Sequence, residues 1–109
     1  MKKNPQIYVQ DMIDQIEIIR SELPSVSKEE FFARALYQNA FIRCLELIGE
    51  AAKGVDDEYR NLHPEIPWKQ MAGMRDKLIH CYAAVNLDEV WNTLTVDIDP
   101  LYTELKRLL

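Results

Sequence analysis

Ile66-Pro67-Trp68-Lys69-Gln70-Met71-Ala72-Gly73-Met74-Arg75-Asp76-Lys77-Leu78-Ile79-His80-Cys81-Tyr82 reads as a helix that opens near Trp68 and runs to about Tyr82. Met71, Met74, Leu78 and Ile79 supply its apolar side. At about 100° per residue, Met71 and Leu78 fall on one side of Arg75, and Ala72 and Ile79 on the other. Arg75 therefore sits in the middle of the apolar stripe, and Tyr82, seven residues on, falls almost on the same line. Asp76 and His80 share a second line about 100–140° around.

An arginine cannot shed its charge, so on an apolar face it must be paired or open to a cleft. Asp76 and His80 stand one turn apart, within hydrogen-bonding reach. A carboxylate beside an imidazole holds the ring and favours its charged form. A fixed cation, an oriented imidazole and a phenol within two turns suit chemistry on a phosphate. The histidine moves a proton and the arginine stabilises charge on the phosphoryl oxygens, with no metal required. Taken singly, each residue also has a plainer reading. Arg75 reads as a salt-bridged structural residue, His80 as a partly buried histidine, and Tyr82 as a core aromatic with its hydroxyl at the edge. Arg75 and His80 diverge by about 140° on an ideal helix. Two copies of the helix facing across a two-fold axis bring both to one phosphate, which puts the site at a dimer interface. A loosened or late-starting helix is the alternative.

Working outward, a first helix is expected from about Asn4 to Leu23, with Asn4 as cap, Pro5 at the first position and Pro24 as the stop. Tyr8, Met12, Ile16 and Ile19 form its stripe, widened by Val9, Ile13 and Leu23. A second helix begins at Ser27, where Ser27 and Glu30 make a capping box. It continues through Phe32, Leu36, Ala40, Cys44, Leu47, Ile48 and Ala51 and frays near Gly54. Asp56 to Pro67 breaks the pattern, with His63-Pro64-Glu65-Ile66-Pro67 as a rigid connector. Asn86-Leu87-Asp88 starts a short helix through Val90, Trp91 and Leu94. Asp97 to Leu109 reads as a last helix, with Leu101, Leu105 and Leu108 or Leu109 inward and Lys106 and Arg107 at its C-terminal end. Residues 1–109 thus form one all-α domain, an antiparallel four- to five-helix bundle able to dimerise through its long helices.

The apolar share of 48% and charged share of 28% match a globular protein that builds a core without staples. No stretch is apolar enough for a signal peptide or a membrane span, so a cytoplasmic protein with no membrane partner is expected. The net charge of −5 argues against a general nucleic-acid coat, and no DNA partner is expected. Trp68 to Tyr82 is nonetheless locally basic, with Lys69, Arg75 and Lys77 against Asp76, and both lysines are candidates to touch RNA phosphates. Cys44 and Cys81 read as small buried thiols. With His63 and His80 they lack ligand spacing, so neither a metal nor another cofactor is expected. Trp68 and Trp91 read as core or interface anchors.

Three separated blocks carry a further resemblance: the string from Ile66 to Tyr82, Leu47-Ile48-Gly49-Glu50-Ala51-Ala52-Lys53 upstream, and Asn86-Leu87-Asp88-Glu89-Val90-Trp91 downstream. Their order resembles the HepT-like family of HEPN-domain proteins, over about Tyr8 to Leu105. The resemblance implies helical bundles that dimerise and bring two Arg–His motifs into one cleft. It implies a metal-independent endoribonuclease that uses the ribose 2′-hydroxyl as nucleophile. It also implies the toxin of a toxin–antitoxin pair, neutralised by a minimal nucleotidyltransferase that attaches AMP to the motif tyrosine. Carried onto this sequence, His80 is the acid/base, Arg75 stabilises phosphate charge, Asp76 supports the site and Tyr82 accepts AMP. Glu50 is the expected partner of Arg75 from the second helix. The alternative is a non-catalytic helical or nucleotide-binding partner of a nucleotidyltransferase, with Arg75 and His80 as contact residues.

Overall fold

The computed structural model describes residues 4–109, the side chain of Tyr82 excepted. Its helices are α1 (Pro5–Glu22), α2 (Lys28–Ala33), α3 (Ala35–Gly54), α4 (Asp57–Leu62), α5 (Trp68–His80), α6 (Leu87–Asn92) and α7 (Ile98–Lys106), and no strand occurs among the described residues. The caps foreseen in the sequence are made. The Asn4 side chain accepts from Gln6 N–H at 2.9 Å. Ser27 and Glu30 close a reciprocal capping box, each bond 3.1 Å.

Helix α3 is the centre of the bundle, packed by α1 on one side and α5 on another. Tyr8, near the start of α1, lies against Gly54 at the end of α3, so these two helices run antiparallel. Gln6 reaches Leu108 and Arg20 reaches Asp99, which makes α1 and α7 antiparallel as well. Val9, Met12, Ile13, Ile16 and Ile19 of α1 are all buried, as their spacing predicts. Leu45 and Ile48 of α3, Leu78 of α5 and Ile98 and Leu105 of α7 complete the core.

Three elements depart from the sequence reading. The helix expected from Ser27 to Gly54 is broken at Arg34, whose backbone is extended at φ −124° and ψ 114°. Phe31 and Phe41 would stand about 15 Å apart along a straight helix. The break brings their rings to 6.3 Å and lays Phe31 on Trp91 at 5.2 Å. Gln38 donates to the carbonyls of Phe31 and Phe32, satisfying acceptors left open by the break. Secondly, the stretch expected as connector contains α4, capped by the Asp56 side chain on Tyr59 N–H. Arg60 of α4 donates to the carbonyls of Ala52 at 2.7 Å and Val55 at 3.0 Å, closing the C-terminal end of α3. Trp68 Nε1 donates to His63 O, fixing where α5 begins. Thirdly, α6 and α7 are not separate helices but join through a π-helical turn (Thr93–Asp97). Pro100 has no N–H for the carbonyl one turn back, and the widened turn just before it absorbs that defect.

Two helical glycines have opposite surroundings. A Cβ on Gly49 would stand 2.5 Å from Met71 O and collide with Arg75 Cβ, whereas a Cβ on Gly73 would meet nothing within 4 Å. Gly49→Ala is therefore expected to lose about 1–3 kcal/mol, because a backbone carbonyl cannot step aside. Gly73→Ala is expected to gain up to about 1 kcal/mol from helix propensity alone. Thermal unfolding of the two variants should move in opposite directions.

Candidate functional site at the junction of two helices

The contact at Gly49 sets the site. Because residue 49 has no side chain, α5 lies directly on α3, and the Arg75 stem fills the seam. Arg75 retains 23% of its side-chain exposure, between the buried Met71 and Leu78. This is the middle-of-stripe position its spacing predicts. Its Nη1 donates to Asp76 Oδ1 at 3.0 Å. Its Nε is buried with no hydrogen-bond partner among the described residues. A charged donor left so costs about 1–3 kcal/mol, and in a folded protein it calls for an explanation.

Asp76 turns toward cations rather than toward His80. Lys53 Nζ, from the last turn of α3, donates to the same Oδ1 at 2.9 Å. These hydrogen bonds, Lys53 first and then Arg75, hold the Asp76 carboxyl below its usual range. The expected Asp76–His80 bond is not made. Two charged donors on one carboxylate outcompete an imidazole one turn away. His80 is the exposed last residue of α5. Glu50 is also exposed, and no ion pair joins it to Arg75. With residue 49 in the seam, Glu50 points about 100° away from it. Lys53, four residues after Gly49, comes back over the seam. In the sequence Lys53 carries no mark of this role beyond its place in the Leu47–Lys53 block. The clue available was its one-turn spacing from a glycine in a long helix.

Lys69 is exposed, and on α5 it falls within about 20° of the line of Asp76 and His80. Lys77 is exposed and lies 3.8 Å from Glu89 of α6. Tyr82 begins a short 3-10 turn (Tyr82–Ala84), and its side chain lies outside the described residues. Cys44 is buried as expected, and burial pushes its thiol up. Cys81 is exposed instead, because the chain leaves helical geometry there at φ −120° and ψ 31°. His63 packs its ring at a tilt against Tyr59, with ring centroids 4.5 Å apart. Trp68 is buried and Trp91 packs on the core, as anchors. No three His, Cys, Asp or Glu side chains converge among the described residues. No described helix is long and apolar enough to cross a membrane.

Fold and motif together define an all-α HEPN-like bundle with an Arg–His helix. Comparison with known proteins narrows this. Residues 12–108 match the family model described as "Ribonuclease HepT-like". The chain is 41% identical over 108 residues to a protein of Thermococcus cleftensis named "Probable ribonuclease HepT", covering 99% of this chain and 98% of that one. It is 38% identical over 107 residues to "Putative RNase TTE0752" of Caldanaerobacter subterraneus subsp. tengcongensis, covering 98% and 96%. It is 36% identical over its whole length to 49% of a Methanocaldococcus jannaschii protein named "Gamma-glutamylcyclotransferase and putative RNase MJ0434". No solved structure matches the chain. The chain belongs to the HepT-like ribonuclease family.

The lowered Asp76 carboxyl has a testable consequence. A group depressed in the folded state stabilises fully above the ordinary carboxylate range and loses that contribution as pH falls through its folded value. The loss is expected below about pH 4. Carboxyl NMR of Lys53→Met should show Asp76 titrating at higher pH than in the parent. Asp76→Asn should flatten the acid limb of the stability profile.

Proposed function

We propose that this chain is a metal-independent endoribonuclease, the toxin of a toxin–antitoxin pair, with its site formed between two copies. The observation that carries the reading is Arg75, a half-buried guanidinium with a buried, unpartnered Nε, on the same helix as an exposed His80 in a ribonuclease family. The part of the guanidinium that stays exposed can donate charge-assisted hydrogen bonds to a phosphate.

In the proposed reaction, the 2′-oxygen of a ribose attacks the adjacent phosphorus and the bond to the 5′-oxygen of the next nucleotide breaks. His80 of one copy takes the 2′-hydroxyl proton and His80 of the two-fold mate delivers one to the leaving 5′-oxygen, leaving a 2′,3′-cyclic phosphate on one product and a 5′-hydroxyl on the other. Arg75 stabilises the charge gathering on the phosphoryl oxygens. Asp76 holds one edge of the guanidinium and leaves the imidazole free. About 140° separates Arg75 from His80 around α5, which favours His80 of one copy working with Arg75 of a two-fold mate. Lys69, on the line of His80, is a further candidate to contact the RNA backbone. Glu50 and Lys77 sit less well with direct roles, Glu50 being unpaired with Arg75 and Lys77 standing beside Glu89.

RNA cleavage in EDTA is expected from the wild type. His80→Ala should lower it about 10²–10⁴-fold and Arg75→Ala about 10²-fold or more, with circular dichroism unchanged. Cleavage that survives loss of His80, or none at all across a broad RNA panel, rejects the reading. The second outcome would favour a non-catalytic partner of a nucleotidyltransferase.

The proposed antitoxin is a minimal nucleotidyltransferase that attaches AMP to Tyr82, the residue that follows the Arg–His helix by two positions. After co-expression, intact-mass spectra should show additions in steps of one AMP, absent from Tyr82→Phe. A protein neutralised without any mass change would instead indicate blocking by contact.

A further inference from the structure

An open groove of about 1220 Å³ runs between α5 and the α6–α7 arm, and neither Arg75, Asp76, His80 nor Lys53 lines it. Met74 and Val85, both partly exposed, give it an apolar floor over the buried Leu78, Val90, Ile98 and Leu101. Glu65, Asp88, Glu89, Asp97 and Glu104 stand along it, with Lys77 the one cation among the described lining residues and Arg107, beside the groove, paired with Glu104 at 2.7 Å. With 13 Lys and Arg to 18 Asp and Glu in the chain, five acids would ordinarily be accompanied by roughly three or four cations. Lys77 is itself within 3.8 Å of Glu89. The π-helical turn (Thr93–Asp97) contributes Thr93 and Asp97 to the wall, and such turns often accompany functional surfaces.

We propose that this groove docks a basic amphipathic helix of a partner protein. The partner's apolar stripe would lie on the floor and its Lys and Arg flanks would meet the acidic rim. The volume exceeds the roughly 300–1,000 Å³ of ordinary small-molecule sites. Glu65, Asp88 and Asp97 have no Lys or Arg partner among the described residues, and their charge repels a phosphate backbone, so RNA is not the occupant. A second copy of this chain fits poorly. Among the described helices only α5 carries net positive charge, and α5 already forms one wall. Met74 stands about 120° around α5 from His80, so a helix on the floor does not cover the His80 line. The proposal holds whether or not the chain cleaves RNA.

The test uses the full-length protein and a displayed library of helices about 15 residues long, apolar at positions a and d, with flanks randomised among Lys, Glu and Gln. Selected binders are expected to carry Lys-rich flanks. Their affinity should fall about tenfold or more on the exposed rim reversal Glu65→Lys with Asp97→Lys. Deuterium exchange should slow on α5 and α6–α7 when the best binder is added. If the reversed protein misfolds, wild-type affinity should still fall about tenfold between low and high salt. No enrichment, neutral or acidic flanks, salt-independent affinity, or protection elsewhere would overturn the proposal. So would a solution dimer of the free protein that already buries Met74.

Discussion

The approach of α5 onto α3 at Gly49 is the contact on which the rest of the site depends. A single absent side chain lets Met71 O and Arg75 Cβ come within the distance a methyl group would occupy. Arg75 is then carried into the seam by its stem, where its charge cannot be fully hydrated and its Nε is left without a partner. The same seam returns Lys53 one turn later, close enough to share the Asp76 carboxylate. Three charged groups on two helices are thus arranged by one packing constraint, with His80 left exposed at the end of the same helix.

The parts outside the seam support that constraint. Arg60 of the short α4 closes the last carbonyls of α3, and the His63–Trp68 bond fixes the start of α5. Because both ends of the α3–α5 connection are tied, the register between Gly49 and Arg75 has little room to slip. On the far side, the bend at Arg34 and the Phe31–Trp91 contact bind α2 to the α6–α7 arm. The arm in turn stands off from α5 and leaves the acidic groove. One face of α5 is therefore sealed against α3, one opens to the groove and one carries Lys69, Asp76 and His80.

Much of this was legible in the chain itself. Asn4-Pro5 and Ser27 to Glu30 announce helix starts because capping is local chemistry, decided within four residues. The stripes of α1 and α5 follow from helical periodicity, which also placed Arg75 on the packed face. The break at Arg34 was not legible, since no proline or glycine marks it. It is made by the gain of packing Phe31 against residues far along the sequence. α4 was hidden for a similar reason: six residues carry too little periodicity to stand out, and its value lies in what Arg60 caps. Cys81 is exposed where its apolar neighbours suggest burial, because the apolar pattern does not show where a helix leaves the core.

By itself, the sequence determined an all-α chain, its helix caps, its core stripes and the membership of Arg75, Asp76 and His80 in one helix. These depend on interactions spanning a few residues, and spacing reports them directly. Only the tertiary structure decided the company each of them keeps. It gave Asp76 to Lys53 and Arg75 instead of to His80, turned Glu50 away, and put the acids of five separate positions along one groove. Those outcomes depend on how closely two helices approach, and that distance is set by packing at Gly49, where the sequence records only a missing side chain.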